Sequence, residues 1–525
     1  EPTIKDGSKH FDVVTYAGNS STNTITGLGF SPDLVWIKRR DGSGHHVLTD
    51  SVRGTDKQLF SSSTNAEQTS TSAITSFNSD GFSLGTQIVG TGDTNDGSST
   101  YVAWCWNAGD TTETIAADSL TSSIYNQSRI WSDTATAPGT TTTALFDRIT
   151  DTSIQATPTL VQASPFGNIV ANFTEADNLT GTLQVYFCYS IADPSTSQVT
   201  FEITELVNGV AVTRDATSFL SNSSSASLSY DALVLSSEIA LLGPLLKLEF
   251  AARQSAPPVD RPQVSGIVIN GKVLVDAGVS VPTIPSIGAD VRANPEAGFS
   301  IVSYSSDSSA ETVAHGLNTA PELVIIKDRD NAQNWVVITS LLDNPMDYLY
   351  LNTTGAAANF NASAPTSKTF IPSQSADSDY IAYCFASVEG YSAIGSYIGN
   401  GSADGPFVHT GFKPAWIMIK STDGAEHWRI VDSTRDPINP ADAELYANTN
   451  SGESDSDLLD ILSNGFKIRV NYSGSNSNGH EYIYMAFAEH PVNTTPEVDT
   501  SGDTQVALDP LAAIATDILE IDGTT

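Results

Sequence analysis

The chain has 525 residues, 39% of them hydrophobic and only 16% charged, with 60 acidic against 24 basic side chains and a net charge of −36. No basic face can be assembled from so few cations, which excludes nucleic acid and an anionic membrane surface as partners. No apolar run approaches the roughly 18 residues of a spanning helix, so no membrane insertion is expected. Ser, Thr, Asn and Gly replace the missing charge, a composition that suits short strands and turns and supports helices poorly. The fold class read from it is all-β, in three to five domains.

The first element is a short strand ending in Tyr, Val13-Val14-Thr15-Tyr16, followed by Gly18-Asn19. A Gly27-Leu28 turn leads to Pro32 and the apolar run Leu34-Val35-Trp36-Ile37-Lys38, which reads as a buried sandwich strand. Asp50-Ser51-Val52-Arg53 follows, then the hairpin signal Ser79-Asp80-Gly81-Phe82 and the aromatic strand Tyr101-Val102-Ala103-Trp104-Cys105-Trp106. The same series returns twice. Proline to lysine is six residues in Pro32–Lys38, Pro321–Lys327 and Pro414–Lys420. Asp41–Arg53 aligns without gaps on Asp330–Leu342 and Asp423–Arg435, and the closing strands recur as Tyr380–Phe385 and Tyr482–Phe487. Ser463-Asn464-Gly465-Phe466 repeats the hairpin, whereas the middle copy has only Lys368-Thr369-Phe370, which predicts an altered hairpin there.

These repeats predict tandem β-sandwiches: repeat 1 over 1–110, repeat 2 over 297–390 and repeat 3 over 391–492. Residues 111–282 form a distinct, jelly-roll-like β-sandwich, with alternation in Leu183–Phe187 and Val199–Ile203 and a terminal hairpin at Asn270-Gly271. Proline-bearing stretches at 251–262 and 281–297 read as linkers, and 493–525 as an acidic tail or docking arm, with Leu511–Leu519 open between a short helix, a docking arm and plain tail. The lack of an initiator Met and of a secretory signal at Glu1 suggests a longer or processed product.

Cys105, Cys188 and Cys384 are too few and too far apart for a disulfide framework or a zinc site. Cys105 and Cys384 take the slot held by Ala486 in repeat 3, which predicts small buried spacers. No cofactor is expected. His45, Asp50 and Ser51, echoed by His427, Asp432 and Ser433, have the residue types of a hydrolytic triad. Repeat 2 places Asn334, Thr339 and Ser340 there, and no nucleophile elbow is present, so no catalytic residue is assigned. Asp93-Thr94-Asn95-Asp96-Gly97 is a polar loop whose oxygens could hold a cation, although it lacks calcium-loop spacing. Trp104, Trp106, Trp131 and Trp428 are candidates for a sugar platform; Trp104 and Trp106 read as core, and Trp428 with its counterparts His46 and Trp335 is open between core and surface.

The set Pro-x-Leu-Val-x-Ile-Lys, Asp-Ser-x-Arg, Ser-x-Gly-Phe and Tyr-x-Ala-x-Cys, with Gly399-Asn400-Gly401, resembles a repeat of bacteriophage tail-fibre and virion proteins of the marine type. Ser123–Trp131, Leu145-Phe146-Asp147 and Ile269-Asn270-Gly271-Lys272 resemble a module that precedes such repeats, so that the likeness covers about four-fifths of the chain. It implies a virion structural protein on the particle surface: a tail fibre or adhesin that contacts a host glycan or protein without catalysis. It also implies association with its own copies, as a homotrimer, and with other virion proteins. The alternative is a capsid-decorating or fibre-shaft protein, and a tailspike depolymerase ranks below both.

Overall fold

The computed structural model describes residues 4–70, 73–86, 93–121, 283–306, 311–342, 346–360, 362–372 and 377–488 and, between them, 125–126, 161–162, 169–173, 179–189, 198–220, 234–253, 262–270 and 272–274. The chain is all-β and forms two compact units, Glu1–Ser119 with Ile284–Thr525, and Leu120–Thr283. Leu511–Leu519, Trp131 and the 145–147 motif lie outside the described residues.

The first unit holds the three repeats, and their strand order is the same. In repeat 1 the large sheet runs Phe11–Ala17, Thr100–Trp106, Leu34–Arg39, Val47–Asp50, Lys57–Phe60, Gln68–Thr69. In repeat 2 it is Phe299–Ser306, Ser378–Phe385, Leu323–Asp328, Val336–Thr339, Asp347–Tyr350, Ala358–Asn359. In repeat 3 it is Ser392–Ile398, Glu481–Phe487, Trp416–Ser421, Arg429–Asp432, Ala441–Tyr446, Ser454–Leu462. A smaller sheet accompanies each. Repeat 1 builds it from Asn23–Thr26, Gly81–Leu84 and Ile74–Asn78, and repeat 3 from Phe407–His409, Gly465–Ile468 and Ser454–Leu462. In repeat 2 it shrinks to Val313–Ala314 against Thr369–Phe370, the altered hairpin anticipated there. The glycine of Ser-x-Gly-Phe has a steric cause: a Cβ on Gly81 or Gly465 would sit 2.0 Å from the carbonyl oxygen of Ile25 or Val408 on the neighbouring strand.

The stretch 281–297 differs from a plain linker. Ala289–Asn294 is a strand that pairs with Phe299–Ser306 and, on its other edge, with Thr112–Ile115, so both extend the large sheet of repeat 2. Alternation of Ala289 and Val291, both buried, accounts for this, and the prolines fall outside the strand.

Strand parity explains the unbroken apolar runs. Val35, Ile37, Tyr101, Ala103 and Cys105 face the small sheet and form the core of repeat 1 with Ile25, Phe82 and Leu84. Leu34, Trp36, Val102, Trp104 and Trp106 face the other way, into a core shared with repeats 2 and 3. Each large sheet is therefore buried on both faces. At one level of the shared core the equivalent residues Trp106, Phe385 and Phe487 close a triangle, with ring centroids 6.4, 6.0 and 5.9 Å apart. Three repeats of one chain thus surround a pseudo-threefold axis, each supplying a third of the central core.

The second unit has one sheet of Tyr125–Asn126, Lys272–Leu274, Pro262–Ile269, Thr182–Tyr189 and Val234–Leu235, and another of Ile169–Asn172, Leu245–Arg253, Gln198–Val207 and Val210–Asp215. Asn270 takes φ +50° between paired strands, as its hairpin signal predicts. A second such signal, Asn208-Gly209, has φ +51° and +76° and turns the chain into an exposed edge strand.

Candidate functional site

The residue types of a triad do not assemble. His45 Nδ1 meets Ser62 Oγ at 2.9 Å, and Ser51 Oγ donates to Asp33 at 2.8 Å. Asp50 is buried and paired with Arg53 Nε at 2.6 Å. In repeat 3, His427 Nδ1 lies 2.8 Å from Asn448 Nδ2, while Asp432 pairs with Arg435 Nε at 2.6 Å. The Asp93–Gly97 loop is likewise held from within. Asp93 pairs with Arg39 at 2.8 Å and accepts from the hydroxyl of Tyr101, and buried Asn95 bonds the carbonyls of Ser21 and Gly85. Among the described residues no group of three or more His, Cys, Asp or Glu side chains could hold a metal ion.

The aromatic candidates are core. Trp104, Trp106, Trp335 and Trp428 are all fully buried, and His46 with them. Their polar atoms tie one repeat to the next. Trp335 Nε1 donates to the carbonyl of Phe60 at 2.8 Å, reaching from repeat 2 to repeat 1. Trp428 Nε1 donates to the carbonyl of Tyr350 at 3.0 Å, from repeat 3 to repeat 2. His46 holds the same slot in repeat 1. Its Nδ1 accepts from Trp36 Nε1 at 2.8 Å, which leaves the proton on Nε2, turned to the carbonyl of Tyr446 in repeat 3 at looser geometry than the two indoles. The ring of contacts closes, 1 to 3, 3 to 2, 2 to 1. Burial drives the pKa of His46 well down and keeps it neutral.

A second set of contacts is present at two interfaces and absent at the third. Between repeats 1 and 2, Tyr383 donates to Asp50 Oδ2 at 2.8 Å, and Arg53 Nη1 reaches Glu67 at 3.0 Å. Glu67 in turn takes Arg329 of repeat 2 as a fork, with both bonds at 3.0 Å. Between repeats 3 and 1, Trp104 Nε1 donates to Asp432 Oδ2 at 3.0 Å; Arg435 reaches Glu453 at 3.0 Å, and Glu453 takes Arg40 as a fork at 2.9 Å. Burial pushes Glu67 and Glu453 up, but the arginines outweigh it and hold both carboxyls below the ordinary range. Between repeats 2 and 3 the matching positions are Met485, Thr339, Leu342, Ala357 and Thr422. Only the backbone bond survives, Ala357 N to Thr422 O at 2.7 Å, as Glu67 N to Arg329 O and Glu453 N to Arg40 O, also 2.7 Å. Where the side chains of the clamp are missing, a cavity of about 420 Å³ opens, lined by Leu342, Asp347, Ala357, Asn359, Asp423 and Glu481 among others.

Lys38, Lys327 and Lys420 sit at matching strand ends. They lie opposite Val102, Ile381 and Ile483 and so point toward the shared core, fully buried. Each ammonium is held by backbone carbonyls: those of Arg39, of Asp328 and of Ser421, each at 2.6 Å. Burial pushes all three down to about 8. Cys105 and Cys384 are buried, and burial raises both thiols, Cys384 to about 12.

Residues 6–220 and 274–491 match the family described as Domain of unknown function (DUF7483), well over half of the chain. The chain belongs to that family. No curated protein and no solved structure matches it. The DUF7483 match spans all three repeats and their clamps, and carries no activity with it. Sequence reasoning did not find the clamps or the cavity. A signal existed, since Asp-x-x-Arg appears in repeats 1 and 3 and is lost in repeat 2, and the Trp or Tyr that meets it in repeats 1 and 2 is Met485 in repeat 3.

Proposed function

We propose that this chain is a virion structural protein, a tail fibre or adhesin on the particle surface that contacts a host glycan or protein by binding and not by catalysis. The observation that supports the reading is the use of the chemically capable side chains. Asp50 and Asp432 are held by Arg53 and Arg435 of their own repeats, and Glu67 and Glu453 by those same arginines together with Arg329 and Arg40 of the neighbouring repeat. Catalysis needs groups with shifted pKa held in a common cleft, whereas adhesion needs many moderate contacts multiplied by copy number. Association with its own copies and with other virion proteins is part of the proposal. Because the chain's own three repeats fill the shared core, such association would use other surfaces.

The test is to incubate the purified protein with host-surface polysaccharide, follow chain length for many hours, and measure retention on host cells. Retention with unchanged chain length is expected. Shortening that vanishes on replacing one carboxylate would establish a depolymerase instead. Gold labelling of the particle over the capsid, with none on the tail, would favour a decorating protein.

A further inference from the structure

We propose that the cavity between repeats 2 and 3 is a binding site for a guanidinium group, the arginine side chain of a partner protein. The inference stands apart from the virion reading and could hold if that reading failed. It rests on a comparison that the chain makes with itself. At the two other interfaces the corresponding space is filled by two guanidiniums around one carboxylate, Arg53 and Arg329 on Glu67, and Arg435 and Arg40 on Glu453. The backbone bond that sets the approach is the same length at all three, so the third site has the frame of a clamp without its arginines.

Charge and shape specify the guest. Replacing Asp, Arg, Glu and Arg by Thr339, Leu342, Ala357 and Thr422 removes two positive and two negative charges, so both guanidiniums are gone and the space they filled is left open. The walls meanwhile bring Asp347, Asp423 and Glu481. Asp423 accepts from the Glu481 backbone N–H on both oxygens at 3.1 Å and from Thr422 Oγ1 at 2.9 Å, with His480 Nδ1 3.6 Å from Oδ2, and a carboxylate has about four lone-pair positions in all. Leu342 and Ala357 give an apolar wall. A flat, weakly hydrated fork suits such a mixed lining better than a strongly hydrated ammonium or a divalent ion. No three carboxylates among the described residues are grouped closely enough for a metal.

The experiment titrates the full chain with N-acetyl-L-argininamide, with N-acetyl-L-lysinamide and calcium chloride as comparisons, observed by calorimetry and by NMR line shifts. Saturable binding of the arginine probe is expected, weakened at least about fivefold by Asp423→Asn with Glu481→Gln, and weaker for the lysine probe. The double variant Ala357→Glu with Thr422→Arg rebuilds a clamp from the chain's own residues and should abolish binding without lowering the thermal midpoint. Should that variant not fold, Ala357→Leu plugs the same space and should also abolish binding. The proposal is overturned by absence of saturable binding, by binding that survives both fillings, or by calcium binding more tightly than the arginine probe.

Discussion

The Tyr383 hydroxyl of repeat 2 donates to Asp50 Oδ2 of repeat 1 at 2.8 Å, beside the Arg53 guanidinium, in a position fully removed from water. Its counterpart is Trp104 on Asp432. Tyr383→Phe removes the bond to Asp50 and the one that Arg53 Nη2 donates to the hydroxyl at 3.2 Å, and leaves the aromatic volume in place. The expected loss of stability is about 1.5–3 kcal/mol, read from urea unfolding. A loss within error of zero would show that the two bonds contribute nothing to joining the repeats.

Removing one partner of the buried pair should cost more. Arg435→Met strands Asp432 in the interface with only Trp104 and the backbone to hold its charge. A destabilisation of about 3–5 kcal/mol is expected. Arg435→Met combined with Asp432→Thr, which imports the apolar pattern of the third interface, should recover much of it. Failure of the double variant to improve on the single one would contradict the account of the clamp.

Acid should weaken the fold partly through two buried imidazoles. Burial pushes His315 down to about 4 and His46 well below its ordinary value, while unfolded histidine titrates near 6.5. Between about pH 6.5 and 4 the unfolded chain therefore binds more protons than the folded one, and stability falls as pH drops through that window. His315→Gln should show a smaller difference in unfolding free energy between pH 7 and pH 4.5 than the parent. Equal differences would refute the assignment.

The lysines act at the other end of the scale. Their folded pKa of about 8 lies below the unfolded value near 10.4, so the folded state releases protons first and stability rises with pH from about 8 to 10. Lys327→Met should remove part of that rise in paired denaturant titrations at pH 7.5 and 9.5. An unchanged slope would mean that Lys327 is not charged and buried at once.

Native protein should resist a thiol reagent at Cys105 and Cys384, since both are buried with raised pKa. Labelling of either within minutes at pH 8, followed by mass spectrometry, would contradict the burial.

Much of the fold was legible in the residues. Period-two and unbroken apolar patterns located the strands, and the constant proline-to-lysine spacing aligned three copies whose strand orders agree. The partner of the second buried face was not legible. Leu34-Val35-Trp36-Ile37 reads as covered on both sides, but periodicity names no cover, and here it is two other repeats almost 300 residues and more away. The clamps were hidden for the same reason, since Asp50 and Tyr383 are 333 positions apart. Pairing Trp428 with His46 in one slot pointed to neither core nor surface, because an indole and a neutral imidazole can each bury a body and offer one N–H to a carbonyl.

Both clamps flank repeat 1, and none joins repeats 2 and 3, which follow each other with only six residues between Phe385 and Ser392. Repeat 1 is separated from repeat 2 by the whole of Leu120–Thr283. The two ends of that insertion are nevertheless held together, because Thr112–Ile115 pairs with Ala289–Asn294 along the edge of repeat 2. The insertion therefore leaves repeat 1 no farther from its neighbours than the short connection leaves repeats 2 and 3. The clamps then do with side chains, for the repeat distant in sequence, what chain continuity does for the pair that lacks them.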